Sequence, residues 1–269
     1  MISAKEYTLR KNELLGEFET RVRNWLKESD KFNISDRIPF YRDGVVCPEI
    51  WFKPNNNFRP LFVLKEVSIG KDCVNDLDLY LETWGNQTSF EFVENPFDDV
   101  RIGKFTTWRK IAALAKGLED IYNGLGIREY NIDEFAYIQG GEEYRGNIEG
   151  YCDYHARTAN NLYNEIINKI AVLETKKIGG GRSVNSELSI ATKYYSEHIE
   201  PFEDLICQQI ELIDPTVIVC CCREFYTGNL FKKIEEKTGD RLWIYGYYPT
   251  MNSTENFYKK PLLEYEKNR

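Results

Sequence analysis

The hydrophobic positions of this chain follow two patterns, a helical spacing near its start and short continuous runs further along. Apolar side chains recur every three or four positions from residue 5 to residue 29, and this spacing predicts an amphipathic helix. Buried strands are predicted by continuous apolar runs at 61–64, 170–173, 216–221 and 242–245. Further helices are predicted at 107–118, 159–169, 186–196, 201–213 and 225–238, and from about 254. Because strands that alternate with helices are typical of a parallel sheet, we predict an α/β fold with a central four-stranded parallel sheet.

The connections between these elements indicate where a ligand would bind. In a parallel sheet, ligands bind outside the carboxyl ends of the strands. This rule selects the loops at 65–75, 174–183, 222–227 and 246–253. No internal repeat is visible, and 269 residues suit one domain. We therefore expect a single domain, 1–269, with a helical extension at about 1–50 and an acidic insertion at about 78–153.

The charge of the chain narrows the classes of function. Acidic residues outnumber basic ones by 43 to 35, a net charge of −8, which excludes a protein that wraps nucleic acid with its whole surface. The acids concentrate in the insertion, whereas the segment 169–182 holds four bases and one acid. A nucleic-acid site on this chain would therefore be a narrow local patch.

Signals for targeting and for metal binding are weak in this sequence. The first thirty residues are too charged for a secretory signal peptide, and no apolar run approaches the roughly 20 residues that cross a bilayer. The seven cysteines form no CxxC pair, and the adjacent three at 220–222 would alternate between the faces of a strand. We expect a cytoplasmic protein without a membrane anchor, metal or cofactor, in which the cysteines are small core residues.

Three of the selected loops carry residues suited to act on a ligand. Glu66 closely follows the first strand, where the alternative is a helix cap or a surface ion pair. The loop after the second strand combines glycines at 179–181 with basic residues, so it could hold an anion; a flexible surface turn is the alternative. The GxxxxGK[ST] pattern of a P-loop is absent. In the last loop, Pro249 stiffens a turn whose hydroxyls could reach a phosphate, and an ordinary proline turn is the alternative.

Four segments follow one another in a recognisable order: LFVLKEVS, IAVLETKKIGGGRS, ELIDPTVIVCCCRE and YGYYPTMNSTENFYKKPLLEY. They lie within residues 58–72 and 160–265, and their order and spacing resemble the uracil-DNA glycosylase superfamily, in particular its divergent bacterial uracil-DNA-glycosylase-like proteins. The resemblance implies a three-layer α/β/α sandwich around a four-stranded parallel sheet. It also implies a monofunctional enzyme that flips a nucleotide out of the DNA helix and hydrolyses its N-glycosidic bond.

The resemblance implies roles for individual residues. Glu66 falls where some members have the Glu of a Gly-Glu-Ala-Pro-Gly loop, which stabilises the sugar cation or positions water, although the surrounding glycines and proline are missing here. Tyr248-Pro249-Thr250 stands where the family often has His-Pro-Ser, and both histidines of the chain lie elsewhere. The donor to the leaving base would therefore be Tyr248 or the backbone N–H groups of the glycine loop. The residues expected to contact DNA phosphates are Lys176, Lys177, Gly180, Arg182, Thr250 and Ser253.

Glu174 stands where the family usually has an Asn that reads uracil. An ionised Glu only accepts hydrogen bonds, so it would oppose uracil O4 but could accept from the exocyclic amine of cytosine. If burial protonated it, it could also donate to cytosine N3. We therefore expect a preference for cytosine or a modified cytosine, with Glu174 and Ser68 binding the base; the alternative is that Glu174 pairs with Lys176 or Lys177 and reads nothing. The aromatic residues that could stack on the flipped base, or belong to the core, are Tyr80, Trp84 and Phe90.

Two other functions fit the same residues. A glycosylase-like protein that has lost catalysis could hold modified DNA or a protein partner, and the absent motif histidine favours this alternative. A different enzyme on the same sheet, such as a nucleoside N-glycosidase or a phosphoesterase, is favoured by the acidic surface. For the glycosylase we expect a monomer whose partner is DNA, and removal of unusual bases from invading phage DNA would be a compatible role.

Overall fold

The computed structural model describes residues 2–29, 40–64, 89–91, 105–130, 165–175, 177, 198–221, 229–239, 241–246 and 255–269. Its strands are β1 (Phe40–Arg42), β2 (Gly44–Val45), β3 (Pro60–Leu64), β4 (Ser89–Glu91), β5 (Ala171–Glu174), β6 (Val217–Cys220) and β7 (Leu242–Tyr245). Its α-helices are α1 (Ala4–Glu28), α2 (Pro48–Trp51), α3 (Phe105–Tyr122), α4 (Glu203–Ile213), α5 (Asn229–Lys237) and α6 (Lys260–Asn268). A 3-10 turn, Glu200–Phe202, precedes α4, and a π-helical turn, Glu255–Lys259, precedes α6.

The central sheet has five strands in the order β2-β5-β3-β6-β7 within the described residues. Strand β3 pairs in parallel with β5 and with β6, and β6 pairs in parallel with β7. The predicted α/β class is confirmed, but the sheet is mixed, because β2 adds to β5 in the antiparallel direction. The sequence did not predict β2, since two residues are too short to form an alternating pattern. A separate pair of parallel strands joins β1 to β4.

Both faces of the central strands are covered. Successive residues of a strand point to opposite faces, and every residue of β3, β5 and β6 is buried. Two groups of helices supply the cover, since α4 contacts α1 and α5, while α6 contacts α3 and β7. The continuous apolar runs of the sequence follow from this burial on both sides.

Helix α1 belongs to the same core as the sheet. The Ser3 hydroxyl accepts a hydrogen bond from the Glu6 backbone N–H at 3.1 Å and so caps the helix, as a serine in this position commonly does. The helix buries one stripe at helical spacing: Tyr7, Lys11, Leu14, Leu15, Phe18, Val22 and Leu26. The predicted helix at 5–29 is therefore confirmed to within a residue at each end.

The other predicted elements are confirmed where the structure describes them. The helices predicted at 107–118 and 201–213 correspond to α3 and α4, with boundaries that differ by a few residues. Of the helix predicted at 225–238, the structure describes the part from 229, which corresponds to α5. Only the last residues of the helix predicted at 159–169 are described, and the helix predicted at 186–196 lies outside the described residues. Helix α2 is a further addition, a short turn that begins at Pro48.

The strand order locates the point at which the chain changes direction across the sheet. From β3 the chain passes to β5 on one side, and it then returns to β6 on the other side of β3. In open parallel sheets the ligand crevice lies at the carboxyl ends of the two strands where the order reverses. In this chain those strands are β3 and β6, whose carboxyl ends lead into the segments that begin at residues 65 and 221.

Candidate functional site

The carboxyl ends of the parallel strands are held together by backbone hydrogen bonds that continue beyond the strands. Leu64 lies opposite Glu174 in the pairing of β3 with β5, and the Thr175 N–H donates to the Leu64 carbonyl at 3.0 Å. The Cys221 N–H donates to Val63 at 2.8 Å on the other side of β3. The Gly246 N–H donates to Cys220 at 2.9 Å. The segments that leave β3, β5, β6 and β7 therefore start side by side.

A buried polar cluster lies beside these carboxyl ends, centred on the carboxylate of Asp43. Asp43 separates β1 from β2 and is 1% exposed. The Lys177 ammonium donates to its Oδ1 at 2.5 Å and to its Oδ2 at 2.6 Å. The Glu174 backbone N–H donates to Oδ2 at 2.5 Å, and the Gln209 side-chain amide donates to Oδ1. Each carboxylate oxygen thus receives two donors, which satisfies the acceptor capacity of the group.

Lys177 is fully buried within this cluster. Burial lowers the pKa of its ammonium group, while the nearby carboxylates of Asp43 and Glu174 act in the opposite direction. The ammonium also lies 5.9 Å from the centre of the Phe18 ring, within the range of a cation–π interaction. A buried charge of this kind persists only with a close partner, and Asp43 is that partner.

The residues around Asp43 restrict the conformation of its backbone and side chain. Gly44 has φ +144°, a conformation that side chains rarely adopt, and a Cβ there would collide with the Tyr7 hydroxyl. That hydroxyl accepts a hydrogen bond from the Val45 N–H at 2.8 Å. Gln209 projects from α4, is 1% exposed, and also donates to the Asp43 carbonyl at 3.4 Å. The Asp-Gly step is therefore fixed by α1, α4 and β5 together.

The structure describes two of the predicted site residues, Glu174 and Lys177. The others lie outside the described residues: Glu66, Ser68, Lys176, Gly180, Arg182, Tyr248, Thr250 and Ser253. The aromatic candidates Tyr80 and Trp84 also lie outside them, and for Phe90 only its place in β4 is described. The cluster therefore adds Asp43 and Gln209 to the predicted set and brings them together with Glu174 and Lys177.

The predicted phosphate contact of Lys177 does not fit its position. Its side chain has no exposed surface, and its ammonium is bound to both oxygens of Asp43. A lysine that neutralises a DNA phosphate must reach the surface, whereas this residue is paired internally with Asp43. Glu174 is 1% exposed and acts electrostatically on Lys177.

Two members of the cluster were missed at the sequence level, and one of them had a usable signal. The apolar stripe of α4 includes Leu205, Ile206, Ile210 and Ile213, and Gln209 falls within that stripe. A polar residue at an inward position of an amphipathic helix indicates a buried hydrogen bond. Asp43 had no such signal, because an Asp-Gly step is equally typical of an exposed turn.

Two further ion-pair clusters lie away from the carboxyl ends of the strands. At the amino ends, Arg59 donates to the Asp214 carboxylate at 2.8 Å and to its carbonyl at 2.7 Å, which joins the start of β3 to the end of α4. Near the end of α3, buried Asp120 accepts from Lys116 at 2.7 Å and from the Tyr130 hydroxyl. These clusters connect neighbouring elements at the amino ends of the strands and beside α3. Among the described residues, no three His, Cys, Asp or Glu side chains are grouped to hold a metal ion.

No family model, curated protein or solved structure matches the chain. No helix within the described parts of the chain has the length and apolar character needed to cross a membrane.

Proposed function

We propose that the chain is a DNA glycosylase that hydrolyses the N-glycosidic bond of a flipped-out cytosine or modified cytosine. Its fold would be the three-layer α/β/α sandwich, in which DNA meets the carboxyl ends of the parallel strands. The observation that carries the proposal is the register of β3 and β5, in which Leu64 lies opposite Glu174. Glu66 follows Leu64 by two residues, a reach of at most about 7 Å. The proposed base reader, Glu174, and the proposed catalytic carboxylate, Glu66, thus belong to adjacent segments.

The proposed chemistry divides among three residues. Cleavage passes through an oxocarbenium-like sugar, and the Glu66 carboxylate stabilises this cation and orients the attacking water. Tyr248, which follows Gly246 by two residues, donates a hydrogen bond to the leaving base. The Glu174 carboxylate accepts from the exocyclic amine, which cytosine has and uracil lacks.

DNA binding would depend on the loops that follow the same strands. The phosphate contacts come from Lys176, Gly180, Arg182, Thr250 and Ser253, and Ser68 contacts the base. Lys177 is removed from this set because it is buried against Asp43. With a net charge of −8, the protein would hold DNA through few phosphates, so binding would weaken only modestly as salt rises.

Base release from a panel of duplexes tests the proposal. Wild-type protein is incubated with duplexes that contain uracil, cytosine or a 5-substituted cytosine at one position, and the free base is measured by mass spectrometry. We expect release of a cytosine-class base, and we expect Glu174→Gln to shift the preference towards uracil, because an amide can also donate. Glu211→Gln, at an exposed position of α4, is the matched control and should leave the preference unchanged. Release of uracil alone, with Glu174→Gln behaving as wild type, would overturn the proposed specificity.

A further inference from the structure

We propose that Asp43 is a positioning residue of this site: its carboxylate binds the Glu174 backbone and the Lys177 ammonium and thereby sets the direction of the Glu174 side chain. The inference rests on the proposed function, because it assigns a catalytic consequence to contacts that exist in the folded chain. Asp43 would not touch the substrate, since its acceptor sites are occupied by protein donors.

The first step of the argument is that one carboxylate binds both ends of a four-residue segment. Asp43 accepts the backbone N–H of Glu174 at 2.5 Å and the side-chain ammonium of Lys177 at 2.5 and 2.6 Å. The same carboxylate therefore connects the backbone of Glu174 to the side chain of Lys177. A second contact comes from the Thr175 N–H, which donates to Leu64 of β3.

The second step is that Asp43 continues the edge of the sheet where β2 stops. Strand β2 pairs with Ala171 and Val172, the first two residues of β5, and its pairing does not extend to Leu173 and Glu174. The Thr175 N–H points towards β3, and the N–H groups of neighbouring residues in a strand point to opposite sides. The Glu174 N–H therefore faces the outer edge, where the Asp43 carboxylate accepts it.

The third step is that Asp43 is itself anchored. Its neighbour Gly44 has no space for a side chain against Tyr7, and β2 is paired with β5. From the other side the Gln209 amide of α4 donates to its carboxylate. The carboxylate is therefore a fixed point to which the end of β5 is bound, rather than a surface charge that follows the loop.

Amide hydrogen exchange measured in Asp43→Asn tests the positioning role without requiring catalysis. Three amides, those of Thr175, Cys221 and Gly246, are internal references, because they also lie at the carboxyl ends of the strands but donate to backbone carbonyls. We expect exchange at Glu174 to accelerate about tenfold to hundredfold, the amount that a hydrogen bond to a charged group contributes, while the references change little. Equal acceleration at all four amides would overturn the inference.

Matched variants connect this exchange to catalysis. Asp214→Asn removes the acid of the ion pair with Arg59 at the amino ends of the strands, and Asn tolerates the left-handed backbone there. We expect Asp43→Asn to lower kcat/KM for the cytosine-class substrate about tenfold to hundredfold, the cost of a small misplacement of a substrate-positioning group, and to weaken its preference over uracil. We expect Asp214→Asn to leave the preference intact. If Asp43→Asn does not fold, Gln209→Leu removes one donor to Asp43 and should give the same pattern to a smaller degree.

The outcomes separate the two proposals. An unchanged preference in Asp43→Asn, with Glu174 exchange accelerated, would overturn the positioning role while the glycosylase assignment stands. If wild-type protein releases no base from any duplex, the proposed function fails, and the exchange result alone then decides whether Asp43 holds the Glu174 backbone in place.

Discussion

Replacement of Lys177 by Met tests how much the buried cluster contributes to the free energy of unfolding. Met has a similar length and no charge, so Lys177→Met keeps most of the packing against Phe18 and removes the ammonium. Asp43 then loses the donor that it shares between both oxygens, and it keeps only the Glu174 N–H and the Gln209 amide. An incompletely paired carboxylate remains in a site that is closed to water.

The expected cost is large compared with the stability of the protein. Removing one partner of a buried ion pair costs about 3–5 kcal/mol, whereas the total free energy of unfolding of a domain is about 5–15 kcal/mol. For a chain of this size, each kcal/mol lowers the midpoint of thermal unfolding by about 2–4 °C, so we expect a decrease of roughly 6–20 °C.

Urea unfolding followed by circular dichroism measures this cost. Arg10→Met is the matched control, because Arg10 forms an exposed pair with Glu6 at 3.6 Å on α1, and its loss should change the free energy of unfolding by less than about 0.5 kcal/mol. In the double variant Asp43→Asn with Lys177→Met, the cost should be clearly less than the sum of the two single costs, because the two residues contact each other. A Lys177→Met cost below about 1 kcal/mol, or strict additivity in the double variant, would refute the reasoning.

Three further predictions follow from single residues. Gly16→Ala should stabilise the protein to urea by about 0.5–1 kcal/mol, since a Cβ there meets no atom within 4 Å. Gly117→Ala should instead destabilise it, since a Cβ there would lie 2.9 Å from both the Leu262 side chain of α6 and the Tyr258 hydroxyl. Burial raises the pKa of the Cys207 thiol to about 11, so peptide-mapped alkylation at pH 8 should modify it far more slowly than half-exposed Cys47 in the folded protein and equally fast after unfolding. Because burial lowers the pKa of Lys177 from its usual 10.5, the unfolded chain binds more protons just below that pH, and the stability advantage of wild type over Lys177→Met should grow as the pH rises towards 10.5; a shrinking advantage would contradict the direction of the shift.

The sequence was sufficient to predict the parallel strands, because each is a continuous apolar run buried on both faces. The runs at 61–64 and 242–245 coincide with β3 and β7 to within a residue. The run at 170–173 is shifted by one position, because Glu174 belongs to the strand although its side chain is charged. A charged residue ends an apolar pattern in the sequence, whereas in the structure the backbone of Glu174 still pairs with β3.

The short edge strand and the centre of the cluster could not be predicted in the same way. Strand β2 has two residues, and Asp43 reaches Lys177 and Gln209 across more than a hundred positions of sequence. Side-chain contacts at such a distance in sequence leave no periodic pattern. The basic character of 176–182 suggested a charged surface, but for Lys177 the same charge is neutralised internally by an acid from a distant segment.

The most direct test of the central claim is base release by wild type and Glu66→Ala from duplex DNA, with the corresponding free nucleosides measured in parallel. The glycosylase proposal predicts that wild type releases a cytosine-class base from DNA, that Glu66→Ala still binds the same duplex but releases little or no base, and that free nucleoside is not cleaved. Equal release by Glu66→Ala, binding of DNA without any release by wild type, or cleavage of free nucleoside without need of a DNA strand would contradict it.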